Sequence, residues 1–494
     1  MRTALLRAFC VLALCPLGCG GQVESISHAS ATPDDSSKPD PSPGTSGSPS
    51  VHKPPDDPPE CSCPDALPCF TTGCDDTGAC VVIAASAGTS CSDANPCSVG
   101  DSCDGSGVCV AGGARTFDEV YGDAAAGAWR AVLPLEGGRI AVAGHTGWHQ
   151  GTTGYDAWFA LTDSGGNLLS EHTWAGDGDE YAMRIVRTDD RGFLLVGSSS
   201  SAGSSAQPWL TRLDANGEPL WTTTLSLSTS VEIEAATALD DGSFAIGGGL
   251  IENGRITDAW IGVLDPAGQL VTQMTYETSR SDCVTNMVAI EGDIVVSGYS
   301  RNFATERYDA WVSRFHKDGS AVFQHTLEQD LLLAVSDLAA LSDGSVAVLL
   351  DVSKASESTV ELHKVTGDGE LIWSASRALP GSIDAPSQLT IGADGNLVVV
   401  GGTFTPSFTG FELSFLRVDS VNGESLADAT LAFDTEHYPR PYDVVASDEG
   451  TFLIAGTQWV ASGSSGWSAG YAELSRVDPW PPASCGISAQ LWSR

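Results

Sequence analysis

Residues 155–200 read YDAWFALTDSGGNLLSEHTWAGDGDEYAMRIVRTDDRGFLLVGSSS. Four short apolar runs, AWFALT, LLSEHTW, YAMRIV and FLLVG, are divided by turn residues such as Asp163-Ser164-Gly165-Gly166 and Asp189-Asp190-Arg191-Gly192. Runs of this length bounded by Gly and Asp are strands joined by tight turns. The unit recurs. Trp158, Trp209, Trp260 and Trp311 stand 51 residues apart, three of them after Asp-Ala, and each is followed by a turn glycine at a fixed place, Gly166, Gly217, Gly268 and Gly319. The pattern degenerates into turns ending at Gly369 and Gly423. A period of this length is the mark of a propeller or solenoid.

Counting copies predicts the architecture. The second run of each unit appears seven times, as RIAVAG, FLLVG, FAIGG, IVVSG, VAVLL, LVVVG and FLIAG, and so do the first and third runs. Near-continuous apolar runs belong to strands covered on both faces, as in stacked blades. The fourth run appears only six times, because the last third run, ending at Val477, meets Asp478-Pro479-Trp480-Pro481-Pro482, where no strand can follow. The missing copy is RTFDEVY, residues 115–121, which has no blade of its own. The expectation is therefore an all-β, seven-bladed propeller of four-stranded blades over 115–480, with 115–121 as the outer strand of the last blade, so that no edge is left open.

The stretch 155–200 resembles the bacterial β-propeller repeat family abbreviated SBBP, whose members carry Asp-Ala-aromatic, Asp-x-x-Gly, a glycine-acidic segment and a strand ending in Gly. The resemblance covers roughly residues 115–480 and is clearest in the units around Trp158, Trp260 and Trp311. It implies a propeller in an extracellular setting, with no shared catalytic residues.

The amino terminus reads as an export signal over 1–18. Arg2 and Arg7 precede an apolar core, Ala8 to Leu17, too short to span a bilayer. Pro16-Leu17-Gly18-Cys19 resembles a lipobox and implies lipidation of Cys19, although Pro16 stands where the family has Leu. Plain secretion is the alternative, and in either case the membrane is reached by a lipid anchor only. Residues 19–60 are a Ser/Pro/Gly tether that cannot offset ordering entropy by burial.

Residues 61–112 form a cysteine-rich module of two repeats, one with Cys63, Cys69, Cys74 and Cys80, the other with Cys91, Cys97, Cys103 and Cys109. Both contain Cys-x-Asp-Ala-x-Pro-Cys and end Cys-Asp-x-x-Gly-x-Cys-Val, and four cysteines per repeat point to two disulfides within each. A zinc site would want Cys-x-x-Cys knuckles, which are absent. The module resembles cysteine-rich repeats of surface proteins from predatory soil bacteria, the myxobacteria. Cys61 and Cys485 remain for a stalk-to-tail disulfide, with 481–494 as the tail, and Cys283 reads as a small buried thiol.

The 494 residues carry 63 acidic against 24 basic side chains, a net charge of −39, which disfavours nucleic acid and bare anionic membranes. Solubility or a salty habitat accounts for the excess, with cation binding, calcium foremost, as the alternative. No His-Glu-x-x-His motif occurs, and no catalytic residues are assigned. Gly217-x-x-x-Trp221 and Gly369-x-x-x-Trp373 echo quinoprotein turns, and packing between blades explains both. Asp177, Asp179 and Glu180 are the one candidate for calcium, against a solvated turn. Aromatics in the links of one face, Trp148, His149, Tyr155, Phe404, His437, Tyr438, Trp459 and Trp467, are candidate ligand contacts. The reading is a monomeric cell-surface or outer-membrane lipoprotein, otherwise secreted, that binds a protein or glycan without catalysis or cofactor. Its rivals are a propeller lyase or glycosidase, and a periplasmic scaffold resembling cofactor-less quinoprotein propellers.

Overall fold

The computed structural model describes residues 69–74, 79–86, 89, 91, 98–99, 102–110 and 113–114 of the cysteine module, and 117–480 of the remainder except 123–126, 147–153, 177, 201–205, 277–279, 332–335, 355–356, 379–381, 384–386, 405–410, 433–436, 448–449 and 462–466. Seven antiparallel sheets form a ring. Blade 1 runs from its innermost to its outermost strand as Ala128–Pro134, Ile140–His145, Ala157–Thr162 and Leu168–Trp174. The later blades begin with the inner strands Asp179–Arg187, Ser230–Ala238, Ser281–Ile290, Ser336–Ala340, Gln388–Ile391 and His437–Ala446. Each inner strand touches that of the next blade, and His437–Ala446 touches Ala128–Pro134, so the ring closes after seven.

The closing strand is Phe117–Tyr121, paired antiparallel with Trp467–Val477 in the register Glu473↔Val120 and Leu474↔Glu119. Residues 115–116 of the run lie outside the described residues, and 117–121 lie where counting places them. A separate apolar core fills each of the seven interfaces. At the closing seam it joins Trp129, Val142 and Trp158 of blade 1 to Leu453, Ala455 and Leu474 of blade 7, with Phe117 and Tyr121 of the closing strand packed against it. The second strands carry these cores on both faces, and every residue of Ile140–His145 is buried.

Two recurrent glycines have distinct causes. In the Asp-x-x-Gly turns the Asp163 carboxylate accepts the Gly165 and Asn167 N–H groups, and Gly166 sits at φ 84°, a conformation costly for a residue with a Cβ. The glycine near the end of the second strand is needed for another reason. Inner strands carry a bulge, as at Ala182/Arg184 and Ile233/Ala235. The bulge turns a carbonyl onto the neighbouring strand, so a Cβ at Gly197 would lie 1.7 Å from Tyr181 O and one at Gly248 1.8 Å from Glu232 O. Trp221 and Trp373 pack under Gly268 and Gly423 of the following blade, as their reading as packing residues requires.

The module's disulfides depart from the expected pattern. Cys91–Cys109 lies within the second repeat, but Cys69–Cys103 joins the two repeats. The reason is packing: the two bridges stack into one small core with Ala85, so the repeats share a nucleus instead of stapling themselves separately. Cys80 is also disulfide-bonded. Cys283 is buried in blade 4 and outside any disulfide. Cys19, Cys61, Cys63, Cys97 and Cys485 lie outside the described residues, and of Cys74 only the backbone is described, paired with Cys80.

At the closing seam Glu473 is buried, and its hydroxyl neighbour Ser475 bonds both to it and to Asp118 of the closing strand. Burial first, then the Asp118 charge, hold the Glu473 carboxyl well above the ordinary carboxylate range. The folded state thus holds this proton more tightly than the unfolded chain. Its stabilising contribution is complete at acid pH and is lost as pH climbs from the ordinary glutamate range through the raised value. Glu473→Gln should therefore melt above the parent at pH 8 and close to it near pH 4.5, a convergence that thermal unfolding across pH would reveal.

Candidate functional site

The bulges that dictate the second-strand glycines also supply the extra inner-strand residues Arg130, Met183, Glu234, Thr285 and Tyr442. These belong to five different blades, and Arg130, Met183, Glu234 and Tyr442 meet. The Arg130 guanidinium of blade 1 lies 4.0 Å from the centre of the Tyr442 ring of blade 7. Arg130 and Arg184 both favour the charged form of Glu234 on blade 3. Blades 1 and 3 are not neighbours, so this coupling crosses the axis of the ring.

A second level lies one residue further along. Arg184, Ala235, Asn286, Asp337 and Gln388 recur at intervals of 51 on blades 2 to 6, and Asp443 holds the same place after its bulge on blade 7. Asn286 donates to Asp337 Oδ1, while Asp337 Oδ2 accepts the Leu389 N–H at 2.7 Å. Asp443 Oδ2 accepts the Val132 N–H of blade 1 at 2.8 Å. These carboxylates therefore tie successive inner strands together while facing one cation, Arg184. Burial pushes Asp337 up to about 7, against the two N–H groups it accepts, and raises Asp443 as well.

Above this level, on the face where inner strands begin, opens a cavity of about 150 Å³ lined by Arg130, Asp179, Tyr181, Met183, Glu232 and Glu234, with Ser198, Ser200, Ala206 and Ile233 completing the wall. Glu232 is held at about 7, by burial first and by the like charge of Glu234 second. Its Oε2 is shut off from solvent and accepts no hydrogen bond. Glu234 is also raised by burial, but two arginines offset it. His145 behind the wall is buried, and burial first, then the Arg130 charge, hold its imidazole well below the usual histidine range. The chemistry on offer is carboxylate, aromatic ring and thioether around a small wet space.

Tyr155, expected as a ligand contact, instead packs between blades 1 and 2, with ring centroids 5.1 Å from His145 and 5.4 Å from Tyr181. It buttresses the cavity wall from behind. Phe404, His437, Tyr438, Trp459 and Trp467 lie on strands and not in links, because the blades 6 and 7 hairpins run further than their apolar runs imply. Tyr438 and Trp459 are cross-strand partners, and Trp467 pairs with Ala461. Trp148 and His149 lie outside the described residues.

The acidic turn is divided. Asp177 lies outside the described residues, Asp179 Oδ1 accepts the Tyr155 N–H at 2.9 Å, and Glu180 is buried with Ser199 donating to it at 2.9 Å. Asp179 and Glu180 are successive residues of one strand and serve separate partners. Among the described residues the only three potential ligand atoms within 4.8 Å of one another are the sulfurs of Cys69, Cys91 and Cys109, which are held in disulfides.

No family model and no curated protein matches the chain. Among solved structures it is similar to a protein of unknown function from Dyadobacter fermentans, at 10% identity over 73% of this chain and 98% of that one with a TM-score of 0.40. It is similar to the NanB sialidase from Streptococcus pneumoniae at 9% identity, over 73% and 70% of the two chains, with a TM-score of 0.41. It is also similar to BBS1N in its complex with ARL6DN, at 13% identity over 76% and 97%, with a TM-score of 0.40. Likenesses this distant carry nothing about function.

Arg184 is the cation that both axial aspartates face. Arg184→Met should lower the melting temperature at pH 8, where Asp337 is charged, and have a much smaller effect at pH 5, where Asp337 is protonated. Equal losses at the two pH values in a thermal scan would remove Arg184 from that role.

Proposed function

We propose that the protein is a non-catalytic binding module of the extracytoplasmic space that takes a protein or glycan ligand on the face where the blade-to-blade links emerge. One observation carries the reading: the cavity at the mouth of the axis, where Arg130, Tyr181, Glu232 and Glu234 converge from three blades. Concave sites with a few convergent polar groups are where propellers and other scaffolds hold ligands. Disulfides in the cysteine module belong with an oxidising compartment, as do the likenesses to SBBP repeats and myxobacterial surface modules. Cys19 anchors the chain by lipid, residues 20–60 hold the folded part away from the surface, and the working form is a monomer.

A second reading, a propeller lyase or glycosidase, is favoured by one feature. Glu232 and Glu234 bring two carboxyl groups to the axial mouth, and Glu232 at about 7 stands where a general acid works. Breakdown of a bound glycan that stops in Glu232→Gln would move the protein to that class.

Two outcomes are expected. The full chain, screened on protein and glycan arrays with and without calcium, should bind a ligand whose affinity falls at least tenfold in Tyr181→Ala, the ring of the cavity wall; a ligand indifferent to that change would place the site elsewhere. Cys19→Ser should abolish incorporation of a labelled fatty acid in bacterial cells and shift the protein from the membrane to the soluble fraction.

A further inference from the structure

Glu232 is a cavity carboxylate that no cation among the described residues offsets. The charge acting on it is the negative Glu234, whereas Glu234 has Arg130 and Arg184. Its Oε2 is buried without a hydrogen-bond donor, a condition that costs free energy. At the level below, Asp337 and Asp443 each accept a backbone N–H group from a neighbouring blade, and Glu180 has Ser199 donating to its other oxygen. Arg130, the cation nearest the cavity, is already engaged over the Tyr442 ring and with Glu234.

The missing partner is therefore a donor that carries positive charge. A metal ion fits poorly, because among the described residues no three carboxylate oxygens come within 4.8 Å of one another. An organic cation fits well. The Tyr181 ring and the Met183 thioether wall the same space, and an aromatic face beside a carboxylate is the chemistry that holds ammonium groups. A cavity of about 150 Å³ has room for roughly ten waters, hence for an ammonium head with a short alkyl stem. The net charge of −39 draws cations toward the surface from a distance.

We propose that the axial cavity binds the ammonium group of a primary amine, seated between the Glu232 carboxylate and the Tyr181 ring, with Met183 against its alkyl stem. This rests on the binding reading above and names the ligand chemistry of that site. A free alkylamine and the lysine side chain of a protein partner share that chemistry.

Titration calorimetry on the full chain at pH 8 tests it with n-butylammonium chloride, N-acetyl-lysine amide, 1-butanol and calcium chloride. The expected result is binding of one or both of the first two and none of 1-butanol, with affinity falling tenfold or more in Glu232→Gln and several-fold in Tyr181→Leu. Binding of the free amine alone would mark a small-molecule site, and binding of the lysine amide with it would mark a site for a protein side chain; both support the proposal. Equal binding of 1-butanol, unchanged amine affinity in folded Glu232→Gln, or calcium binding that excludes the amine would overturn it. If Glu232→Gln does not fold, Tyr181→Leu decides by the same criterion. An array ligand that binds while both amines fail would sink the ammonium assignment and leave the binding module intact.

Discussion

The ring depends on one pairing, that of Phe117–Tyr121 with Trp467–Val477. Six of the interfaces join blades that follow one another along the chain, so covalent continuity keeps their partners close. At the seventh that continuity runs through the closing strand, which leads into Ala128–Pro134, so the two ends of the ring are held only by its pairing with Trp467–Val477, and loop-closure entropy must be met there by contact alone. The contacts are accordingly dense. Arg476 donates to the Ser164 carbonyl of blade 1 at 2.9 Å and lies over the Phe117 ring, Thr457 donates to the Gly127 carbonyl, and Asp443 accepts from Val132. Core, outer strand and inner strand are thus each tied across the same seam, and local opening at any one of them leaves the other two in place.

Arg476 belongs to a wider device. The penultimate residue of the third strand is Arg212, Arg314, Lys364, Arg417 and Arg476 in five of the seven blades. Most of these are buried, and several reach over to the next blade, Arg314 to the Gly367 carbonyl and Lys364 to that of Ser420, each at 2.9 Å. Their carboxylate partners sit on the turn between first and second strands, as Asp293 does for Arg314 and Asp343 for Lys364. Desolvating such cations costs free energy that the geometry must return, and Arg212, Arg314 and Lys364 are each held by a carboxylate together with a backbone carbonyl. A chain with only 24 basic residues thus uses several as internal clasps, which leaves its exterior more acidic than composition alone implies.

What could be read from the chain follows the same division. Strand count, blade number and the closing strand were legible because they rest on features that recur from blade to blade, the Trp158 series in blades 1 to 4, the Asp163-type turns and the glycines that face a bulge in five blades. The cavity was not legible, because the bulge position carries a different residue in each blade: Arg130, Met183, Glu234, Thr285 and Tyr442 share a place and nothing else. A signal did exist in Glu232-Ile233-Glu234, two charges inside an otherwise apolar first strand, and strand alternation could have flagged it. The aromatics of blades 6 and 7 were misplaced because hairpin length is set by ladder pairing, which turn residues mark poorly. The bridge from Cys69 to Cys103 was hidden for a third reason, since spacing within repeats says nothing of how two repeats pack on each other.

The bulge explains why scaffold and site can vary apart. Its carbonyl is a backbone group, so the demand it makes on the adjoining strand is for the absence of a side chain, at Gly144, Gly197, Gly248 and Gly298 alike. The side chain it displaces toward the axis meets no such demand, because the axis is wide enough for Arg130 and Tyr442 to stack and for charges on blades 2, 5 and 7 to interact. Each blade can therefore present cation, carboxylate, thioether or ring at the mouth with the glycine unchanged. In this chain the bulge and the level below it carry Arg130 and Arg184 on blades 1 and 2 and Glu234, Asp337 and Asp443 on blades 3, 5 and 7. Glu232 and Tyr181 line the cavity from the inner strands of blades 3 and 2, and it is there that a carboxyl oxygen is left without a donor.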